Sequence, residues 1–145
     1  VDAAVLYREH AAAAGIDIEV IREPNDGYWS NVWMKKPWGA CYWGGRPTED
    51  WMFSTAYMGG ADWNDTFWKH DRFDSLLVQA RAETDQNKRR SMYFEMQQIV
   101  SDEGGVVVPM FANYVIAMSD KVKHGTLAGN WDMDGQRFME RWWFA

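Results

Sequence analysis

The chain has 145 residues, with 15 lysines and arginines against 21 aspartates and glutamates, so its formal charge is −6. This acidic balance argues against a nucleic-acid or anionic-membrane partner, because either would call for a basic surface. A hydrophobic content of 47% and a charged content of 25% are typical of one ordinary folded domain that can bury a core. The only cysteine, Cys41, excludes an internal disulfide.

The N-terminal third begins with a helical pattern. Apolar residues recur at three- and four-residue spacing between residues 3 and 14, which predicts a helix that ends at Gly15. Residues 16–20 alternate between apolar and acidic side chains, the period of a half-buried strand. Residues 24–27, Pro-Asn-Asp-Gly, predict a turn because proline presets φ and glycine allows positive φ.

Tryptophan dominates the next stretch. Trp29 and Trp33 are four residues apart, which indicates a short helix, and residues 38–43 are apolar and β-prone enough for a buried strand. Residues 44–70 show little periodicity and are predicted as a long functional loop region that includes at most a short helix. The order of elements therefore begins as helix, strand and loop.

Two helices and two strands are predicted after residue 70. Asp71 is a plausible N-cap, followed by an apolar stripe, and a second helix begins near Asp85 and stops at Gly104. Residues 106–108 and 114–118 are predicted strands around Pro109. The β–loop–α–α–β order indicates an α/β domain whose sheet is covered by helices. Residues 125–145 are poorly periodic, and their aromatic end is typical of a surface that meets a partner: Trp142, Trp143 and Phe144.

Seven of the ten tryptophans lie between Trp29 and Trp68, among glycines, prolines and carboxylates. Large rings on irregular backbone are costly to order unless they bury against something. Each ring alone could fill a core, but apolar walls with a few polar groups on loops are typical of ligand sites. Arg46 suits a carboxylate or other oxygen-rich ligand through its planar fork, or a salt bridge to Glu49 or Asp50. The cluster predicts a binding surface.

Catalytic and metal chemistry find little support in the residues. Glu49 and Asp50 resemble the paired carboxylates of a carbohydrate hydrolase, but sequence neighbours usually point apart. The acidic group around His70 lacks the ordered spacing of a calcium loop: Asp62, Asp65 and Asp71. Glycine pairs occur without a phosphate-binding motif. We therefore expect no enzyme, no metal and no cofactor.

A wider pattern resembles the large lobe of family 5 extracellular solute-binding proteins, the peptide/nickel/opine class that serves ABC importers. The resemblance covers roughly residues 1–125 and rests on an ordered set of short matches rather than on one diagnostic motif. These matches are Ala-x-x-Ala-Gly-Ile-Asp-Ile-Glu-Val from residue 11, Tyr42-Trp43-Gly44, Phe73 to Leu77, Ala80-Arg81, Asp85, Arg89-Arg90, Tyr93, Gln97 to Val100, and Val108 to Phe111.

The resemblance implies one C-terminal lobe of a bilobal type II periplasmic-binding-protein-like fold, with a mixed sheet flanked by helices. Residues 120–145 would return toward the N-terminal lobe, and closure of the two lobes around a solute would be the mechanism. It also implies a periplasmic or lipid-anchored location, an ABC permease as partner, and no catalysis. Peptide-binding members carry an aspartate for the peptide amine where this chain has Arg46, so amine capture at that position is doubtful.

The sequence thus predicts solute binding for import, of a peptide or a related small polar or amphipathic solute. A carbohydrate hydrolase using Glu49 or Asp50, and a non-catalytic interaction domain, are the alternatives. If the N-terminal lobe is absent, the fragment is expected to self-associate through its exposed C-terminal rings. The predicted ligand contacts are Trp43, Arg46, Asp50 and Trp51, with Tyr42, Phe53 and Trp63 as further wall residues.

Overall fold

A computed structural model describes residues 1–145 and divides them into two units, Val1–Trp43 and Gly44–Ala145. Helices account for most of the regular structure, and the one sheet has two antiparallel strands. The expectation of a domain with both helices and strands therefore holds at this coarse level. None of the helices combines the length and the apolar character needed to cross a lipid bilayer.

The first unit contains two helices, α1 (Asp2–Ala13) and α2 (Tyr28–Asn31). The predicted stop of α1 is confirmed, because Gly15 takes a φ of 77° just beyond the helix end. Gly27 likewise has a φ of 78° and precedes α2, as the predicted turn requires. Both glycines occupy the left-handed region that side chains with a Cβ rarely adopt.

The second unit is built around three helices, α3 (Glu49–Ala56), α4 (Asp71–Ala82) and α5 (Gln86–Glu103). The apolar stripe of α4 is fully inside, and α3 and α5 each add residues to the same core. Buried side chains at helical spacing explain why these segments are helices. The core side chains are Phe53, Ala56, Tyr57, Phe73, Leu76, Leu77, Ala80 and Met96.

Side chains define where these helices begin. The predicted start of α5 near Asp85 is confirmed, and Asp85 is its N-cap: its Oδ1 accepts hydrogen bonds from the backbone N–H groups of Asn87 at 2.9 Å and Lys88 at 3.1 Å. The N-cap prediction for α4 is wrong by one residue. His70, not Asp71, has extended backbone there, and its Nδ1 accepts a hydrogen bond from Phe73 N at 3.2 Å. Asp71 is instead the first helical residue.

The predicted mixed sheet is absent. Residues 16–20, 38–43, 106–108 and 114–118 lie outside any strand. An alternating pattern favours extended backbone, but a strand also needs a neighbour to supply its hydrogen bonds. Here the sheet is formed by residues that showed no periodicity, β1 (Val122–His124) paired with β2 (Trp142–Phe144).

The polypeptide between β1 and β2 folds around one carboxylate. It contains two short helical segments, α6 (Asp132–Gln136) and α7 (Phe138–Arg141), and four consecutive residues from 133 to 136 have positive φ. Asp134 is 3% exposed and accepts hydrogen bonds from Ala128 N at 2.6 Å and Trp142 Nε1 at 3.1 Å. The hydrogen bond from Ala128 N is the largest cause that lowers the pKa of Asp134. The hydrogen bond from Trp142 and the charge of the nearby Arg141 lower it further.

Candidate functional site

Arg46 and Trp51 come together at the start of α3. Thr48 caps this helix by accepting a hydrogen bond from Trp51 N at 3.3 Å, which places Trp51 in the first turn. Arg46 Nη1 donates to the carbonyl oxygen of Gly44 at 2.7 Å, and its Cζ lies 5.7 Å from the centre of the Trp51 ring. A half-buried guanidinium is thus held against an aromatic face, which is a cation–π arrangement.

Trp131 completes this arrangement and was missed by sequence reasoning. Its ring meets the Trp51 ring edge-on, with centres 5.8 Å apart, and its Nε1 donates to the carbonyl oxygen of Gly45 at 2.7 Å. The residue lies in the poorly periodic C-terminal part, where only its aromatic character could have indicated a role. We refer to Arg46, Trp51 and Trp131 as the arginine–tryptophan cluster.

Gly45 leaves little room beside this cluster. A Cβ at that position would lie 3.4 Å from the hydroxyl oxygen of Tyr114 and 4.0 Å from the carbonyl oxygen of Asn130. The first of these distances is at the tight end of ordinary contact, so a side chain here would touch the Tyr114 hydroxyl. Glycine therefore allows residues 45–46 to approach the C-terminal part of the chain closely.

Asp50 points to a different set of partners. Its Oδ1 accepts hydrogen bonds from Arg81 Nε at 2.7 Å and from the Tyr93 hydroxyl at 3.3 Å. Arg81 Nη2 also donates to Ser54 Oγ, and the Ser54 hydroxyl donates to the backbone carbonyl of Asp50 at 2.5 Å. Burial, with the nearby Asp50 charge, raises the pKa of Tyr93. A ligand amine at Asp50 would therefore compete with Arg81.

Phe53 and Trp63 were both predicted as wall residues, and the structure places them differently. Phe53 is 7% exposed and packs edge-on against Phe73, with ring centres 5.2 Å apart, so it belongs to the core beneath α3. Trp63 is exposed and borders a depression of about 380 Å³ together with Ser54, Thr55 and Asp62. Of these two rings, Trp63 alone presents a surface to solvent.

Tyr42 and Trp43 lie in the first unit, within a group of aromatic rings. Trp29 meets Tyr42 edge-on with centres 5.5 Å apart, and Trp33 meets Trp43 in the same way at 6.3 Å. Trp29 and Trp33 are themselves 5.7 Å apart. Tyr42 is 79% exposed and Trp43 is half-buried, so part of the aromatic surface of this group is accessible to solvent.

Two of the residues considered for metal or hydrolase chemistry, His70 and Asp50, have structural roles. His70 caps α4, stacks on Trp68 with centres 5.4 Å apart, and places Nε2 3.3 Å from a Glu103 carboxylate oxygen. Asp50 is paired with Arg81. The structure contains no group of three or more histidine, cysteine, aspartate or glutamate side chains positioned to hold a metal ion.

Two curated proteins are similar to part of this chain. One is the probable D,D-dipeptide-binding periplasmic protein DdpA of Escherichia coli (strain K12), 38% identical over 64 residues. That match covers 44% of this chain and 12% of the relative. The other is the dipeptide-binding protein DppE of Bacillus subtilis (strain 168), 28% identical over 71 residues, 49% of this chain and 13% of the relative.

Both relatives are named as binding proteins, and neither name describes an enzyme. The chain spans a small part of their length, as the 12% and 13% coverage shows. No family model matches the chain. No solved structure matches it either.

Proposed function

We propose that this chain takes part in solute binding for ABC-type import, with a peptide or a related small polar or amphipathic molecule as the solute. The partial similarity to two proteins named as a probable D,D-dipeptide-binding protein and a dipeptide-binding protein carries this proposal. In it, residues 1–145 correspond to the C-terminal lobe of a family 5 solute-binding protein, and residues 120–145 to the segment that returns toward the other lobe. The chain has no catalytic role in this proposal.

The proposed mechanism is closure of two lobes around the solute, in a type II periplasmic-binding-protein-like arrangement. A ligand held between two walls loses most of its contact with water, and much of the binding free energy comes from that enclosure. The closed protein then delivers its solute to an ABC permease in the membrane. The corresponding location is the periplasm, or the outer surface of the cell with a lipid anchor.

The arginine–tryptophan cluster is the proposed solute contact in the second unit. A guanidinium is a planar fork of N–H donors, which matches the oxygens of a carboxylate or another oxygen-rich group. Because Arg81 and Tyr93 already occupy Asp50, we propose that a solute carboxylate at Arg46, rather than a solute amine at Asp50, is the main ionic contact. Trp43, Tyr42 and Trp63 remain proposed aromatic contacts.

Substitution of Arg46 in the bilobal protein tests this contact. Arg46→Ala should weaken solute binding by about 2–5 kcal/mol, because truncation leaves a desolvated carboxylate unpaired. Arg137→Ala is the matched control, since Arg137 forms an exposed pair with Glu140 at 2.7 Å. Calorimetry with a dipeptide and with its C-terminal amide gives the measurement.

The two peptides separate the parts of this proposal. If Arg46 meets the carboxylate, the amide should bind the unsubstituted protein weakly and should be insensitive to Arg46→Ala. Equal loss for both peptides would place Arg46 near another part of the solute. No loss for either peptide, or no binding of any peptide by the bilobal protein, would contradict the proposal.

The 145-residue chain alone should bind the same peptides very weakly. The costs of immobilising the solute remain, while the contacts from the second wall are missing. Tryptophan fluorescence titration of the chain measures this directly. Micromolar binding by the chain alone would contradict the two-lobe mechanism but not solute binding itself.

A further inference from the structure

The three helices of the second unit enclose a groove that the proposed solute site does not use. It has a volume of about 660 Å³ and lies between the first turn of α3, the end of α4 and the N-terminal half of α5. That volume is within the range of about 300–1,000 Å³ found for small-molecule sites. Volume alone does not indicate a ligand class, so we infer the class from the charges that line the groove.

More positive than negative side chains line this groove, although the whole chain is acidic. Three arginines, Arg81, Arg89 and Arg90, face two carboxylates, Glu49 and Asp50. The Asp50 carboxylate is paired with Arg81 at 2.7 Å, so these two charges offset one another. Two guanidinium groups from α5 and one carboxylate from α3 remain.

The two α5 arginines keep their charge available. Arg89 Nη2 donates to Gln86 Oε1 at 2.8 Å and its Nη1 donates to the Glu83 carbonyl at 3.5 Å, and both acceptors are neutral. These bonds hold the guanidinium in place without compensating its charge. Arg90 is exposed and makes neither an ion pair nor a hydrogen bond. Both side chains line the groove, and a guanidinium suits the oxygens of a carboxylate or a phosphate.

An aromatic ring lies next to this charge. Arg90 and Phe94 are four residues apart on α5, so they lie on the same side of the helix, and both line the groove. Phe94 is 68% exposed, which leaves its ring open to a flat apolar group. The Tyr93 hydroxyl and the Gln97 amide add polar groups to the same wall.

We propose that this groove is a second binding site, for a small organic anion that carries an aromatic or apolar body. The guanidiniums of Arg89 and Arg90 hold the carboxylate or phosphate group, and the Phe94 ring packs on the body. The proposal stands independently of the proposed solute site, because it uses neither Arg46 nor the tryptophans.

Titration of the 145-residue protein by NMR tests the proposal, with inorganic phosphate, phenyl phosphate and benzoate as separate probes. Saturable shifts should appear at the backbone N–H groups of residues 86–97. Phenyl phosphate should bind at least about threefold more tightly than inorganic phosphate, because it adds contact with Phe94. Comparison of phenyl phosphate with benzoate identifies which oxyanion the groove prefers. Shifts that fail to saturate with every probe would overturn the proposal.

Two charge-removing substitutions on the same helix provide the decisive comparison. Arg90→Gln should weaken binding of the best probe at least about tenfold, because it removes one charge-assisted partner without breaking an existing bond. Lys88→Gln removes the same charge two residues away, outside the groove lining, and should change binding less than about twofold. Equal losses would mean a diffuse electrostatic effect and would overturn the site. An unchanged affinity for Arg90→Gln would do the same.

Discussion

The helical region α3–α5 and residues 106–118, which follow it, differ in the exposure of their apolar side chains. Within α3–α5, Phe73 and Leu77 are fully buried. Beyond α5, Phe111 is 93% exposed and Val115 is 91% exposed. The two regions are adjacent along the chain, and residues 106–118 are the richer in apolar side chains, yet only the helical region encloses its own.

The difference follows from where each kind of backbone finds its hydrogen bonds. A helix bonds each N–H to a carbonyl four residues earlier, so α4 and α5 are complete before they pack together. An extended segment such as residues 106–118 needs a neighbouring strand for the same purpose, and without one its side chains have no opposite layer. The helices therefore satisfy their own backbone hydrogen bonds and also bury their apolar side chains. Residues 106–118 do neither by themselves.

The largest expected effect compares one side chain from each region. Leu77→Ala should lower the free energy of unfolding by about 2–5 kcal/mol, since it removes buried methyl groups and leaves a cavity. Val115→Ala, the matched control, should change it by less than about 0.5 kcal/mol because the side chain is already in water. Urea unfolding followed by circular dichroism measures both. Similar losses would show that residues 106–118 are packed in solution.

The same distinction decides how much of the fold could be predicted. Helical periodicity and caps are local signals, so the sequence predicts α1, α2, α4 and α5, although the N-cap of α4 is His70 instead of Asp71. Alternation at residues 16–20 and apolar runs at residues 106–108 and 114–118 predicted strands that the structure lacks, because pairing depends on residues far away in sequence. β1 and β2 were missed for the same reason: their pairing leaves no periodic mark in three-residue strands.

Exposed rings at the C-terminus provide the next test. The predicted association surface is smaller than expected, because Trp142 packs edge-on against Phe138, with centres 5.9 Å apart, and bonds to Asp134. Trp143 and Phe144 remain exposed, Phe144 by 84%. We expect self-association of the 145-residue chain at high concentration, since contiguous apolar patches drive association.

Phe144→Ser should weaken that association at least about tenfold, since burial of one phenyl ring contributes about 1.5–3 kcal/mol. Phe111→Ser removes a ring from residues 106–118 that is 93% exposed, and it is the control. Sedimentation equilibrium gives both constants. A larger effect from Phe111 would move the association surface to the extended stretch, and a monomer at every concentration would contradict the prediction.

The candidate site could be predicted only in part. Contacts between residues that are close in sequence leave a recognisable pattern, and contacts between residues far apart in sequence do not. Arg46 and Trp51 are close in sequence, and the Thr48 cap between them brings them together, so a local signal was enough. Asp50 is equally local, but its partners Arg81 and Tyr93 come from α4 and α5. Trp131 lies 80 residues beyond Trp51, and no periodicity could have linked the two rings.

A smaller effect is expected from a polar contact inside the helical region. Tyr93→Phe removes the hydroxyl that donates to Asp50 and should cost about 0.5–1.5 kcal/mol of unfolding free energy. Because the folded state raises the pKa of Tyr93, its contribution is present below the ordinary value of 10.0 and is lost as pH rises above it. Urea unfolding at pH 7 and pH 11 should show a smaller difference between the two proteins at pH 11 than at pH 7. A loss as large as that of Leu77→Ala would contradict this prediction and would mean that the bond contributes as much to stability as a buried core side chain.

The smallest effect is a pH-dependent change confined to the C-terminal part, where the buried Asp134 carboxylate accepts hydrogen bonds from Ala128 and Trp142. The folded state lowers the pKa of Asp134, so its stabilising contribution is fully present above the ordinary value of 3.8 and is lost as pH falls below it. The indole N–H of Trp142, which donates to Asp134, should therefore shift and broaden in NMR spectra below pH 3.8. The indole N–H of Trp131 donates to a backbone carbonyl that does not titrate, so it is an internal control. Asp134→Asn should abolish the pH dependence of the Trp142 signal, and parallel movement of both indole signals would show that acid unfolds the whole unit instead.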